Sequence, residues 1–540
     1  MKKISFLLLA LLLVAIPKSL WAYTKDQIVP FGDMTYKVLV PNGNKPTLMF
    51  LGTTKSGALE IPAEVKDGAG TTFTVTEVAG DTRYPCKDVT SVKLPETIEK
   101  LGNICFYDAQ LTEINIPKSV SEIDHVVWAG VKAVPECKVD AANTHFDSDN
   151  NGVLYTEGKV ELRSVPSNIA TKTGSNTYTV NQSVTSIAKG AFFSNPGLKK
   201  VILPPNLEKV EEGWPSIAAT KDLEEFAMTP SSTAKYEVKD GVLFTKGPNK
   251  LVLYPHAKNV AEYTVPTGVK EMASYGIAGN GNMTSIDLNE VIKVETSAIV
   301  NITKLKKIKL PKDIKKAGLS QGAFEGCNAL EAYEVAEGNT DFSAVDGVLF
   351  SANKEILYFY PLAKPDETYT IPSTVKEIAV KAFQGATKLT SLVIPTSVEK
   401  IQEQAFRQNY KLASVKFCEP SKITDLSAYS FWQCPKLTEV TLPSSITEIG
   451  KVFLQCENLE TVNVPANAKL KTIKEDAFAT NKNLKKFNFQ GNCNLEAIEA
   501  NAFANAESLE SFNFPKTVTK IERNAFTGCT NMATATFAED

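Results

Sequence analysis

The chain has 540 residues, 43% of them hydrophobic and 22% charged; single cores stop growing near ~250–300 residues, so it is divided into domains or built from repeats. Its 58 Lys+Arg against 61 Asp+Glu leave a net charge of −3, which excludes a main role in gripping phosphate backbones. Only His125, His145 and His256 occur, which argues against zinc, haem or a histidine base.

Residues 1–22 read as a secretory signal peptide. Met1-Lys2-Lys3 is the positive start, Ile4 to Ile16 the apolar run, and Leu20-Trp21-Ala22 the cleavage site before Tyr23. The run is too short to span ~30 Å of hydrocarbon. Tyr23 and not a cysteine stands directly after the cut, and no later run of 18 apolar residues occurs, so the mature chain is expected to lack a transmembrane segment. A C-terminal wall-anchoring signal is also not expected. Residues 23–84, rich in Thr, Val and Gly, are expected to form a β-rich N-terminal cap.

From residue 85 the chain repeats. Ala382-Phe383, Ala405-Phe406, Ala477-Phe478, Ala502-Phe503 and Ala525-Phe526 share one context, with Ser430-Phe431 and Val452-Phe453 in the same slot. The unit reads I-x-x-x-A-F-x-x-C/N/A-x-x-L-x-x-V-x-I-P-x-x-V-x-x-I. Leu392 and Ile394 have the two-residue spacing of a strand with one buried face, and Pro395 ends it. The A-F-x-x-C stretch suits a helical or 3₁₀ turn. One unit cannot bury its own apolar face, so the fold class is a β-rich repeat solenoid of 22–25-residue units.

Cys327, Cys434, Cys456 and Cys529 stand three residues after the repeat Phe, where other copies carry Asn195, Asn409, Asn481, Ala386 or Ala506. The slot wants a small buried side chain. The nine cysteines are odd in number and contain no CxxC pair; a Cys86–Cys105 bridge is left open.

Asn151-Gly152-Val153-Leu154-Tyr155, Asp240-Gly241-Val242-Leu243-Phe244 and Asp346-Gly347-Val348-Leu349-Phe350 read as turns opening strand pairs. These hairpins divide the repeats into blocks 85–139, 140–229, 230–336 and 337–540. In the run Tyr358, Phe359, Tyr360, at least one ring faces outward if the run is a strand.

The repeat and the D-G-V-L-F…Y-P hairpin together resemble the BspA-like leucine-rich repeats over most of residues 85–540. The resemblance implies a leucine-rich solenoid on bacterial cell surfaces, of a kind some of whose members act in adhesion. Function sits in the exposed faces of a repeat, so a likeness of cores names no partner.

Catalytic chemistry is hard to find. Gly318-Leu319-Ser320-Gln321-Gly322 matches a nucleophile elbow but lies within a repeat turn. Asp147-Ser148-Asp149-Asn150-Asn151-Gly152 resembles the start of a Ca²⁺ loop, yet the twelfth position is Gly158. No catalytic residue, metal site or cofactor is expected. The candidate binding surface is the outward strand face, with Thr441, Thr461, Asn463, Lys486, Asn488, Ser511 and Asn513 as its residues. The expected function is non-catalytic interaction or adhesion by an exported protein, at the cell surface or secreted, with the periplasm as another destination. The partner is an extracellular protein or glycan; the alternative is a glycan-binding accessory protein of the envelope.

Overall fold

A computed structural model describes residues 23–41, 45–212, 220–229, 234–247, 249–479 and 481–538. The expected signal peptide, 1–22, lies outside the described residues. The chain forms two compact units, one running to Lys258 with Ala273–Asn280, the other comprising Asn259–Met272 and residues from Gly281 onward.

The first unit opens with antiparallel strands Ile28–Phe31, Met34–Val40 and Thr47–Thr53. Met34, Tyr36 and Val38 are buried at alternate positions, as a strand with one covered face requires. Thr47–Thr53 then pairs parallel with Thr72–Val78, which passes the direction on to Lys100–Leu101 and Glu122–Ile123 at the repeat spacing.

In the second unit each coil adds to two parallel ladders. The L-x-x-V-x-I stretch forms the longer one. Thr461–Val464, Lys486–Phe489 and Ser511–Phe514 stack in register in this way. The V-x-x-I stretch forms a second ladder two residues wide, such as Thr472–Ile473 beside Ala497–Ile498.

The A-F segment is a turn, not the expected helical or 3₁₀ piece. Among the described residues helix is confined to Ile169–Thr173, Glu157–Lys159 and Lys316–Gly318, none of which holds a repeat Phe. Two causes are visible. Residues two before and two after the Phe adopt positive φ, as at Gln404 and Gln408 around Phe406 and Asn501 and Asn505 around Phe503; a left-handed residue breaks a right-handed helix. The Phe N–H also bonds outward, Phe383 to the Ala405 carbonyl at 2.7 Å and Phe478 to that of Ala502 at 2.8 Å. These bonds stack turn on turn.

The rings therefore form a column. Tyr360, Phe383, Phe406, Phe431 and Phe453 follow one another with centroids 4.7, 5.0, 4.7 and 5.4 Å apart. Cys434, Cys456 and Cys529 sit below it, each Sγ 3.1–3.3 Å from the Phe carbonyl of the preceding coil. The slot takes a small side chain, and a weak donor is useful there, because Asn195 uses its amide on Val165 and Pro166 carbonyls in the same way. All nine cysteines are free thiols. Cys105, buried, directs its Sγ to the carbonyls of Val78 and Gly102 at 3.1 Å.

Candidate functional site

The outward strand face is a polar ribbon. Thr441, Lys486, Asn488 and Asn513 are exposed, and Thr461 and Ser511 are half-buried. Asn463 departs from the expectation of an open position: it is only 6% exposed. Its Nδ2 donates to Glu439 Oε1 at 2.6 Å, and its Oδ1 accepts from Asn488 Nδ2 at 3.1 Å, so its amide serves as an internal rung. The row continues with Thr536 Oγ1 donating to Asn513 Oδ1 at 2.6 Å.

A cleft on the turn side was not foreseen as a site, although one of its rings was noticed. The third hairpin pairs Phe342–Val345 with Val348–Ser351, which in turn pairs with Ile356–Phe359. Asp346 and Gly347 both have positive φ, the conformation an Asp-Gly hairpin turn provides. The last strand enters the short ladder, with Leu357 opposite Ile378. Tyr360 then takes the Phe slot, and its N–H bonds the Ala382 carbonyl at 2.8 Å. An ordinary coil spaces these points five residues apart, Ile378 to Phe383, whereas the hairpin coil spaces them three apart, Leu357 to Tyr360. With two residues fewer the turn is cut short, and a notch opens between its neighbours.

That notch is a cavity of about 430 Å³. Phe324, Tyr333 and Phe359 make its floor, with centroids 5.8–6.1 Å apart. Of the three aromatics in the hairpin run, Tyr358 and Tyr360 are buried and Phe359 is the half-buried one that faces the cleft. Glu325, Asn328, Lys381, Gln384, Gln408 and the 56%-exposed Tyr410 surround the mouth. Neither Glu325 nor Lys381 has an ion-pair partner among the described residues.

From Gln384 a chain of side-chain amides runs away along the turns. Gln384 Nε2 donates to Gln408 Oε1 at 3.4 Å, Gln408 Nε2 to Gln433 Oε1 at 3.0 Å, and Gln433 Nε2 to Gln455 Oε1 at 2.9 Å. Trp432 Nε1 also donates to Gln455 Oε1, at 2.8 Å.

The first hairpin shortens its turn in the same way. Leu162 lies opposite Ile187 and Val165 bonds the Ala191 carbonyl. Its notch is almost filled, leaving about 10 Å³. Trp128 holds the slot that Phe324 holds, with its Nε1 on Ser164 Oγ at 3.2 Å, and Phe193 stands where Gln384 stands. The hairpins thus make a notch by construction, and local side chains decide whether it stays open.

Beside that filled notch lie His125, Glu161 and Glu211, with ligand atoms within 4.8 Å of one another. Arg163 occupies the same space, 3.0 Å from Glu161 Oε2 and 3.4 Å from His125 Nδ1. Its guanidinium supplies the positive charge that a divalent ion would bring, and an ion would have to displace it. In the Ca²⁺-like segment, Asp149 Oδ1 instead caps the Asn151 and Val153 N–H groups at 2.9 and 3.0 Å. Ser320 sits in a repeat turn, its N–H on the Val294 carbonyl.

The BspA type leucine-rich repeat region matches in six copies over residues 72–150, 156–234, 254–353, 359–469 and 451–540. The chain belongs to the BspA-type leucine-rich repeat family. Solved structures also match the chain. A leucine-rich repeat protein from Eubacterium ventriosum is 20% identical, with 74% of this chain and 94% of that one covered and a TM-score of 0.45. The pneumococcal vaccine antigen PcpA is 19% identical over 96% of this chain and all of its own, TM-score 0.37. A leucine-rich cell surface protein from Faecalibacterium prausnitzii is 18% identical over 96% of each chain, TM-score 0.36. No curated protein matches the sequence. Among the described residues no helix is long and apolar enough to cross a membrane.

Proposed function

We propose that this BspA-type protein is exported, catalyses nothing, and engages an extracellular protein partner through its outward strand face between Glu439 and Thr536. The reading rests most on the cross-coil bonding of that face. Glu439, Asn463 and Asn488 are tied rung to rung, as are Asn513 and Thr536. Side chains already held in place lose little freedom on binding. Lys486 is exposed on this face, and the tied Asn488 and Asn513 are exposed as well, so the face offers ammonium and amide groups to a partner. Repeat folds commonly bind through such extended faces, and leucine-rich repeats as a class serve protein–protein interaction. The leader-like start of the sequence supports export.

Two measurements test this reading. Protease shaving of intact cells, followed with an antibody to the C-terminal repeats, should remove them while a periplasmic control survives. A photo-cross-linker at Asn488 should then trap one discrete protein that the same group at Lys388, in a turn, does not. Survival of the repeats on intact cells, or equal adducts from both positions, overturns it.

A further inference from the structure

The cleft between the turns of Phe324 and Phe383 has a chemistry unlike that of the strand face. Its floor is aromatic, with Phe324 and Tyr333 buried and Phe359 half-buried. Its mouth carries one ammonium, Lys381, one carboxylate, Glu325, and amides.

The amide chain fixes which amide atom faces the mouth. An indole N–H can only donate, so the Gln455 atom that meets Trp432 Nε1 is its oxygen. That oxygen also receives Gln433, which therefore presents its Nε2 there and its Oε1 to Gln408. Gln408 in turn presents its Oε1 to Gln384 Nε2. The chain is polarised from end to end, and linked dipoles strengthen one another. Its free end is Gln384 Oε1, an acceptor at the cleft, on which no donor is placed among the described residues.

A ligand for this mouth must give a hydrogen bond to Gln384 Oε1 and to Glu325 and receive one from Lys381. It must also lay an apolar face on Phe359, with the edge of Phe324 beside it. Hydroxyl groups both donate and accept, and a pyranose ring offers a C–H face beside a rim of hydroxyls. At about 430 Å³ the space lies toward the lower end of the ~300–1,000 Å³ typical of small-ligand sites and admits no protein element. The opposed charges of Lys381 and Glu325 leave the mouth near neutral. We propose that the cleft at Phe324, Phe359, Gln384 and Tyr410 is a saccharide site that holds one or two hexose units of a neutral polysaccharide. The filled notch beside Trp128 shows that the fold closes such a space when Trp128 and Phe193 stand where Phe324 and Gln384 stand here.

Affinity electrophoresis of the mature chain tests this, in gels containing α-mannan, glycogen, laminarin, xyloglucan, arabinogalactan or polygalacturonate. Retardation is expected with at least one of the five neutral polymers and with none of the charged one. Gln384→Leu and Tyr410→Ala, both at the mouth, should weaken it by about tenfold, with thermal melts unchanged. Phe359→Ala should abolish it; if that variant does not fold, the two mouth variants decide alone. Trp432→Phe does not line the cleft but releases the amide chain, and should weaken binding severalfold. No retardation with any neutral polymer, stronger retardation by polygalacturonate, or retardation indifferent to Gln384→Leu and Tyr410→Ala overturns the proposal. It stands apart from the strand-face reading, because Asn488→Ala with Asn513→Ala should leave polysaccharide retardation intact.

Discussion

His125 Nδ1 lies 3.0 Å from Glu211 Oε2, two residues brought together only by coil stacking. Glu211 is half-buried, and burial alone would raise its carboxyl. Bonds from the Lys209 ammonium and the Lys189 N–H, with the charge of His125, outweigh that and hold it below the usual carboxylate range. A carboxyl lowered on folding stabilises above its unfolded value, and that stability is lost as pH falls through the folded value. Glu211→Gln should therefore cost about 1–2 kcal/mol at pH 7. In urea melts the gap to the parent protein should stay flat down to about pH 5 and close below the usual glutamate value near ~4.3. A gap independent of pH would show that the charge of Glu211 plays no part.

The cysteines make a second test. Burial pushes the Cys86 and Cys327 thiols up to about 11 and the Cys137 thiol up to about 12. Cys105 is also raised by burial, with the charge of Asp124 adding to it. Thiolate is the reactive form. At pH 8 a thiol reagent should label Cys418 and Cys529, which are half-buried, and reach the other seven only in denaturant. A total below nine without reductant would instead reveal a bridge.

The ring column makes a third. Phe406 is fully buried between Phe383 and Phe431. Phe406→Ala should cost about 3–5 kcal/mol. Phe431→Ala should cost a similar amount, and the double variant less than the sum, because the two share one contact. Strict additivity in denaturant titrations would mean that the stack does not couple neighbouring coils.

Lys364 makes a fourth. It is 5% exposed, between Asp346 Oδ2 at 2.8 Å and Asp366 Oδ2 at 2.6 Å. Burial works against its charge, but the two carboxylates win and its ammonium is held above the usual lysine value. Such a group stabilises below its unfolded value, and the gain is lost as pH rises through the folded one. Lys364→Met should cost about 1–2 kcal/mol up to about pH 10 and progressively less above it. An undiminished cost at high pH would assign the effect to packing.

The repeat itself was legible from Phe383 to Phe526, because stacked coils impose the same core on every copy. The turn conformation was not. A-F-x-x-C has one-turn spacing, and only the positive-φ residues on either side of the Phe and the bonds from Phe N–H groups to the next coil show why it is no helix. Asn463 looked open because strand alternation assigns it outward; alternation does not register a neighbour such as Glu439 folding over it. The cleft was half legible, since one ring of Tyr358, Phe359 and Tyr360 was expected outward. That it is Phe359, and that the coil is two residues short, required the pairing of Leu357 with Ile378. The grouping of His125, Glu161 and Glu211 was hidden by sequence distance.

The bonds from the N–H groups of Phe383, Phe406, Phe431, Phe478 and Phe503 to the following coil have a consequence for how such a chain can change length. A loop in an ordinary domain gains or loses residues one at a time. Here a three-residue deletion between Phe406 and Val415, a stretch that is nine residues long in every coil from Phe383 to Phe512, would shift the small slot and the longer ladder against their neighbours at once. Removing the whole 25-residue step would bring Phe431 onto Phe383 with every partner restored. Growth and loss are thus simplest in whole coils, while within a coil the count differs between the two ladders, seven residues from Ile394 to Ile401 but nine from Phe417 to Leu426, and at the hairpins.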